Sequence, residues 1–259
     1  MDIKTAVKDG LMYAIIPARA GSKGVKNKNI RCVKGYPLIA YAIAAAARCE
    51  RVSRILVSTD SEEYAKIARY YGAETPFLRP AEYAADNSPD IQFMEHAIGW
   101  LKEHEGVLPE YFMHLRPTSP LRKQEIVDRA CELMLADPEA TSLRSAHRQV
   151  FPPYKMFYAG DDGYFTCFNE GMTPDEANNP RQDFKQVYVP DGYVDILRTS
   201  FITGNHLMHG TKVIAYTIEK SVDVDAKEDL DYLEFYMEKN STELYGYLKD
   251  NYRTLEEMD

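Results

Sequence analysis

Short uncharged apolar runs alternate along this chain with longer stretches in which apolar side chains recur every three or four positions, a pattern that predicts strands and helices in turn. Residues 12–17 (MYAIIP) form the first run, without a charge on either face of the extended chain, as in a strand buried on both sides. Residues 37–48 (PLIAYAIAAAAR) predict a helix, because proline suits a first turn and alanine loses little on becoming helical. A second strand is expected over 54–59 (RILVST) and a second helix over 61–71, with Ser61 as N-cap and two acids in the first turn. Helices over 90–104 and 123–136 enclose a third strand at 111–115 (YFMHL). Strands linked through helices pair in parallel, so the expectation is a Rossmann-like three-layer α/β fold with a mostly parallel sheet. Ligands of such sheets gather at the carboxyl ends of the strands.

The texture changes near residue 140. Residues 151–168 read as a hairpin and 170–184 (EGMTPDEANNPRQDF) as a long polar loop, after which strands return at 193–197 and 211–217 and an amphipathic helix covers 225–239. The division is therefore a core of residues 1–140 and 189–259 with an inserted appendage at 141–188. A chain of 259 residues suits one α/β domain carrying such an appendage.

Composition narrows the partners. A net charge of −9 argues against a nucleic-acid or anionic-membrane surface, both of which require a positive footprint. No segment approaches the ~20 apolar residues of a membrane span, and the amino terminus lacks a signal peptide's apolar stretch. Four scattered cysteines without a CxxC pair fit reduced thiols, and the expectation is a soluble cytoplasmic protein.

The candidate chemistry begins directly after the first strand. Residues 18–29 (ARAGSKGVKNKN) hold two glycines, a serine, an arginine and three lysines. Glycine lets backbone N–H groups close around phosphate oxygens, and Arg and Lys add charge-assisted donors, so the loop suits a polyphosphate. Its spacing is neither GxxxxGK[ST] nor GxGxxG, since Lys23 precedes the second glycine. A late segment, SVDVD at 221–225, would present Asp223 and Asp225 on one side of an extended chain. Paired carboxylates beside a phosphate loop offer oxygen ligands to magnesium, while Asp229 could add an acid or cap the next helix. The histidines show no HExxH spacing and no serine sits in a GxSxG elbow, which removes zinc-hydrolase and serine-hydrolase readings.

The first loop, IIPARAGSKGVKNKNI, resembles the opening signature of the cytidylyltransferases that activate sialic acid and related ulosonic acids. VSTDSEEYAKIARYYGA, PFLRPAEYAAD, LRPTSPLR, NPRQDF and SVDVDAKEDL resemble later blocks of that family, in order, over residues 12–235. The resemblance implies a nucleotidyltransferase fold and transfer of CMP from CTP to a sugar acid, with pyrophosphate released. It implies that Arg19, Ala20, Gly21, Ser22, Lys23 and Lys28 hold the triphosphate and that Asn29 and Arg79 contact the nucleoside. Asp223 and Asp225 would bind the catalytic Mg2+, and Arg19, Lys23 and Lys28 would stabilise the leaving pyrophosphate. Arg116, Thr118, Ser119, Arg181, Gln182 and Asp191 fall on the acceptor side. In the family the appendage crosses to a second subunit, which implies a homodimer.

Three departures concern the acceptor. Arg116 stands where the family usually has glutamine, Asp90 where it often has serine, and VPDGYVDI at 189–196 replaces a block close to RPNGAIYI, putting Asp191 in the asparagine's place. Arg116 could grip a carboxylate or phosphate in a bidentate fork, or turn away into structure. Two other readings stay open: a nucleotidyltransferase for a sugar 1-phosphate, and more distantly a glycosyltransferase whose D-x-D holds a metal.

Overall fold

The computed structural model describes residues 6–22 and 24–258. Strand β1 (Ala6–Pro17) leads through the glycine-rich loop and a two-residue pair, β2 (Cys32–Val33) and β3 (Tyr36–Pro37), into helix α1 (Leu38–Ala47). Then follow β4 (Val52–Ser58), α2 (Glu62–Tyr70), α3 (Asp90–His104), β5 (Val107–His114), α4 (Gln124–Ala136) and β6 (Ser142–Arg148). The hairpin β7 (Phe157–Ala159) and β8 (Phe165–Cys167) and the short α5 (Pro174–Ala177) precede β9 (Tyr188–Arg198). Helix α6 (Thr199–Asn205), β10 (Val213–Ile218), α7 (Lys227–Lys239) and α8 (Glu243–Asn251) complete the chain.

The central sheet has six strands in the order β10-β6-β9-β5-β1-β4. Neighbours pair in parallel except β9, which runs antiparallel to both β5 and β6. Helices cover both faces. Met12, Ala14 and Ile16 of β1 pack into a core shared with α1, α4, α7 and α8, whereas Tyr13 and Ile15 point into a second core with α3 and α6. Burial on both faces is why the MYAIIP run carries no charge, each fully buried large aliphatic contributing about 1.5–3 kcal/mol.

The predicted helices sit within a residue or two of the observed ones, and Ser61 Oγ accepts from the Tyr64 N–H as the expected N-cap. Three strands are clearly longer than the apolar pattern predicted, β5 starting at Val107 rather than 111. β1 begins at Ala6, because Gly10 takes a φ of 70° and lets the chain bend, its N–H donating to Glu110 Oε2 at 2.7 Å. β9 reaches back to Tyr188 and pairs through Arg148 of β6. The segment expected as an appendage from residue 141 therefore begins inside the sheet: β6 lies between β10 and β9, and the chain leaves the sheet only after Arg148. Beyond it the 151–168 hairpin is present as β7 and β8, and the polar loop contains α5, closed by a capping box between Thr173 and Glu176.

The topology fixes where a ligand can lie. From β1 the chain crosses to β4 on one side and returns as β5 on the other, so the loops after these strands part at the sheet's carboxyl edge and open a crevice.

Candidate active site

A cavity of about 530 Å³ occupies that crevice, a size common for nucleotide-scale ligands. One wall is the loop after β1, which contributes Arg19, Ser22, Gly24, Lys28 and Asn29. Its backbone is set by Gly21, at φ 76°, and Asn27, at φ 56°, conformations that lead into a turn of 3-10 helix at Lys28–Ile30. Two side chains brace it: Asp60, just after β4, accepts from the Ala20 N–H at 2.7 Å, and the buried Asn29 donates from Nδ2 to the Arg19 carbonyl at 3.0 Å. Arg19 itself bonds Asp86 Oδ1 at 2.8 Å. Lys23 lies outside the described residues.

Arg79 forms the inner wall. It is only 6% exposed, donates from Nε to Ser58 Oγ and from Nη2 to the Ser58 carbonyl, and lies 4.9 Å from the Phe93 ring centre. Burial pulls its pKa down to about 10, which leaves it cationic at neutral pH. A surface ion-pair role is thereby excluded.

The late aspartates meet the early loop. Lys28 Nζ donates to Asp225 Oδ1 at 3.0 Å, and a Cβ placed on Gly24 would stand 2.8 Å from the Asp225 carbonyl oxygen, too close for any side chain. The sequence reading took residues 221–225 as a strand, but they join no sheet; the buried Val224 donates its N–H to the Thr118 carbonyl at 2.8 Å and pins the segment across the loop after β5. Asp223 and Asp225, on either side of that anchor, both line an adjoining cavity of about 260 Å³, which also shares Lys28, Arg116 and Thr118 with the larger one. Burial and then the Asp225 charge raise the Asp223 pKa, against Thr118 and Lys28, which lower it. Asp229 caps α7, its Oδ2 accepting from the N–H groups of Asp225 and Ala226 at 2.8 Å.

On the acceptor side the structure separates the expected residues. Arg116 and Thr118 line both cavities, and Arg116 is bonded through Nη2 to Asp90 Oδ2 at the start of α3. Two of the three departures thus answer each other as an ion pair. Burial raises the Asp90 carboxyl, but the nearby cations, Arg116 among them, outweigh it and hold the group below the usual carboxylate range. Asp191 borders the smaller cavity while its Oδ1 accepts from Ser145 Oγ at 2.7 Å and the Tyr193 N–H at 3.2 Å. Ser119 is buried and lines neither cavity; its carbonyl accepts from Arg122, a buried arginine that ties the loop after β5 to the Tyr193 carbonyl. Arg181 and Gln182 lie apart, around a cavity of about 280 Å³ with Arg148 and Phe184.

The fold and this site define a class: an α/β nucleotidyltransferase-type core with a cationic loop facing paired carboxylates. The cytidylyltransferase family profile matches residues 13–234, and the chain belongs to that family. It is 30% identical over 221 residues to an N-acylneuraminate cytidylyltransferase of Escherichia coli, a match covering 85% of this chain and 50% of that enzyme, so the chain spans about half the length of that relative. It is 30% identical to the post-translational flagellin modification protein B of Campylobacter coli, over 87% of this chain and 94% of that one. It is 28% identical to a CMP-N,N'-diacetyllegionaminic acid synthase of Campylobacter jejuni, over 84% and 90% of the two chains. Among solved structures, CMP:2-keto-3-deoxy-manno-octonic acid synthetase in complex with CTP superposes with a TM-score of 0.65 at 14% identity, covering 88% of this chain and 99% of that one; this likeness bears on the fold.

Proposed function

We propose that this chain transfers CMP from CTP to a nonulosonic or related ulosonic sugar acid and releases pyrophosphate. The observation that carries this reading is the meeting of the glycine-rich cationic loop with Asp225, through the Lys28 ion pair and the Gly24 contact, in one cavity with Arg19 and Arg79. The named activities of the relatives support the acceptor class.

In this reading Arg19, Lys28 and the backbone around Gly21 hold the triphosphate, with Ser22 beside them and Lys23 in the same loop. Asn29 and Arg79 close the nucleoside end. The acceptor lies in the smaller cavity beside Arg116, Thr118 and Asp191, with its anomeric hydroxyl in line with the α-phosphorus and opposite the leaving pyrophosphate. Charge on the departing pyrophosphate grows where Arg19 and Lys28 already stand, so no reorganisation is needed as the bond breaks.

Asp223 and Asp225 fit a divalent cation such as Mg2+. Both are oxygen donors, and burial, with the Asp225 charge adding, raises the Asp223 carboxyl even though Thr118 and Lys28 oppose it. Magnesium commonly takes one or two protein carboxylates and completes its shell with substrate oxygens and water, which two acids beside a triphosphate site can accommodate. Bound there, Mg2+ supplies charge neutralisation for the α-phosphate and acidity to the acceptor hydroxyl.

The homodimer belongs to the same proposal. The β7–β8 hairpin exposes Tyr158, Tyr164, Phe165 and Phe168, an apolar patch suited to a second copy, and Arg181 and Gln182 sit beyond it, away from this chain's own cleft. Sedimentation at micromolar concentration tests it, a monomer removing the claim. No helix among the described residues is long and apolar enough to cross a membrane, and the four thiols are free.

The test of function is pyrophosphate release across four nucleoside triphosphates, with sialic, legionaminic, pseudaminic and 3-deoxy-octulosonic acids and with sugar 1-phosphates as acceptors. CTP with one of the acids is the expected pair. Turnover confined to a sugar 1-phosphate would overturn the reading, as would nucleotide-sugar consumption without pyrophosphate.

A further inference from the structure

Arg144 does not line the nucleotide cavity, but it lines the smaller one. It lies on β6 directly opposite Asp195 of β9, and Asp195 in turn faces His114 of β5, so the three form one row across the sheet. His114 and Asp195 are 1% and 2% exposed, whereas the Arg144 side chain keeps 37% of its surface and lines the cavity. Beyond Arg144 the β6–β9 register slips: Ala146 pairs with Pro190, leaving residues 191–194 opposite Ser145 alone. This bulge carries the cavity wall formed by Asp191 and Gly192, and bulges commonly serve to re-aim side chains at a site.

The hydrogen bonding of Arg144 is incomplete. Its Nε is buried without an acceptor, and Asp195 Oδ1, 3.8 Å away, is likewise buried without a donor. At that separation the two attract as charges but form no hydrogen bond. A buried guanidinium donor left open costs about 1–3 kcal/mol, and such a group in a native fold calls for an explanation. The Nε is closed to the cavity and faces Asp195, but the guanidinium makes no hydrogen bond to any described residue and its side chain keeps 37% of its surface, so its remaining donors are open to a ligand oxygen that would draw the group into place. The other cations on this wall are committed elsewhere, Arg116 to Asp90 and Lys28 to Asp225 and, in the proposed function, the triphosphate, while Asp191 and Asp223 contribute negative charge. One open guanidinium among acids suits a single negative charge held in a planar fork, which is a carboxylate; a phosphate dianion would meet the same acids with twice the charge.

Resting on the function proposed above, we infer that Arg144 binds the carboxylate of the acceptor acid, with Asp195 as the counter-charge that positions its guanidinium from behind, and so selects acids over uncharged sugars and sugar phosphates.

The test uses the full chain, CTP and whichever panel acid the wild type turns over best, together with the C1 carboxamide of that acid. Arg144→Met should raise KM for the acid about 30-fold or more, leave KM for CTP within about twofold, and abolish the preference for acid over amide. Arg144→Lys keeps the charge without the fork and should recover part of that preference. Melting temperatures of both variants separate misfolding from lost recognition, and the acid-to-amide ratio is independent of how much folded enzyme is present. If Arg144→Met retains the wild-type ratio, the inference falls while the proposed function stands. If the wild type turns over only sugar 1-phosphates, both fall together.

Discussion

The two halves of the cleft are built by opposite means. The nucleotide half is mainly one loop, residues 18–29, whose donors stand almost side by side in the chain, held by Asp60, Asp86 and Asp225 from distant segments and closed on the inside by Arg79. The acceptor half is drawn from three strands and a helix start: Asp90 of α3, His114 of β5, Arg144 of β6 and Asp191 and Asp195 of β9 come from distant segments and meet only because β9 enters the sheet antiparallel between β5 and β6. In the first half the loop's own composition carries the chemistry. In the second, register carries it, and a change of one strand pairing would change the ligand.

The sharpest way to break this contrast is to remove a donor from the loop. Lys28→Ala should lower turnover by roughly 10²–10³ with KM for the acceptor little changed, because it deletes a charge aimed at the leaving pyrophosphate. Steady-state kinetics checks this, and a loss confined to KM for the acceptor would place Lys28 in the wrong half. Next in size is Gly24→Ala, whose Cβ would press on the Asp225 backbone carbonyl at 2.8 Å and force loop and aspartates apart. It should cost about 10–100-fold in kcat and about 1–2 kcal/mol of stability, read by kinetics and thermal melting.

The same contrast explains what the sequence made legible. Strand and helix positions were visible because burial on both faces leaves uninterrupted apolar runs and α3, for instance, spans Asp90–His104 as its periodicity predicts. The phosphate loop was visible because its residues are contiguous. The VDVD segment was placed in the cleft by its two acids, but its lack of a strand was hidden, since one hydrogen bond from Val224 to Thr118 does what a ladder would do. Arg144 was invisible: an arginine in SLRSAHR has no spacing signal, and its meaning comes from Asp195 fifty-odd residues away. The start of the appendage was misjudged for a related reason, since Ser142–Arg148 is a mixed polar strand whose neighbours in the sheet come from distant segments.

Within the acceptor half, Arg116 and Asp90 can be tested as a unit. If the two departures are mutually compensating, Arg116→Gln and Asp90→Ser should each weaken acceptor use more than their combination implies. A double-mutant cycle on kcat/KM for the acid should give a coupling of about 1 kcal/mol. Additive losses would mean that Arg116 grips the acceptor directly and that the pair with Asp90 is incidental.

The smallest effect expected is on stability against pH, and it asks whether the buried row is charged as its geometry implies. Burial raises the Asp195 carboxyl to about 6 despite the opposing pull of Arg144. Between its ordinary value near 4 and that pH, the folded chain keeps a proton that the unfolded chain has released, so this group's contribution falls as pH rises through the window and stays low above it. Burial, with Arg116 adding, pushes His114 down to about 3, and burial, with Arg144 adding, pushes His209, in the loop between α6 and β10 beside the start of β6, down to about 4; their contribution runs the other way, lost as pH falls from the ordinary histidine range. The opposing slopes partly cancel in the wild type, which makes the difference curve the useful quantity. Asp195→Asn removes only the carboxylate's part, so its melting temperature minus that of the wild type should climb by several °C between about pH 4 and 6 and level off above. A flat difference would mean that Asp195 ionises as it does in water, and the counter-charge assigned to it behind Arg144 would then lie in a wetter setting than the sheet provides.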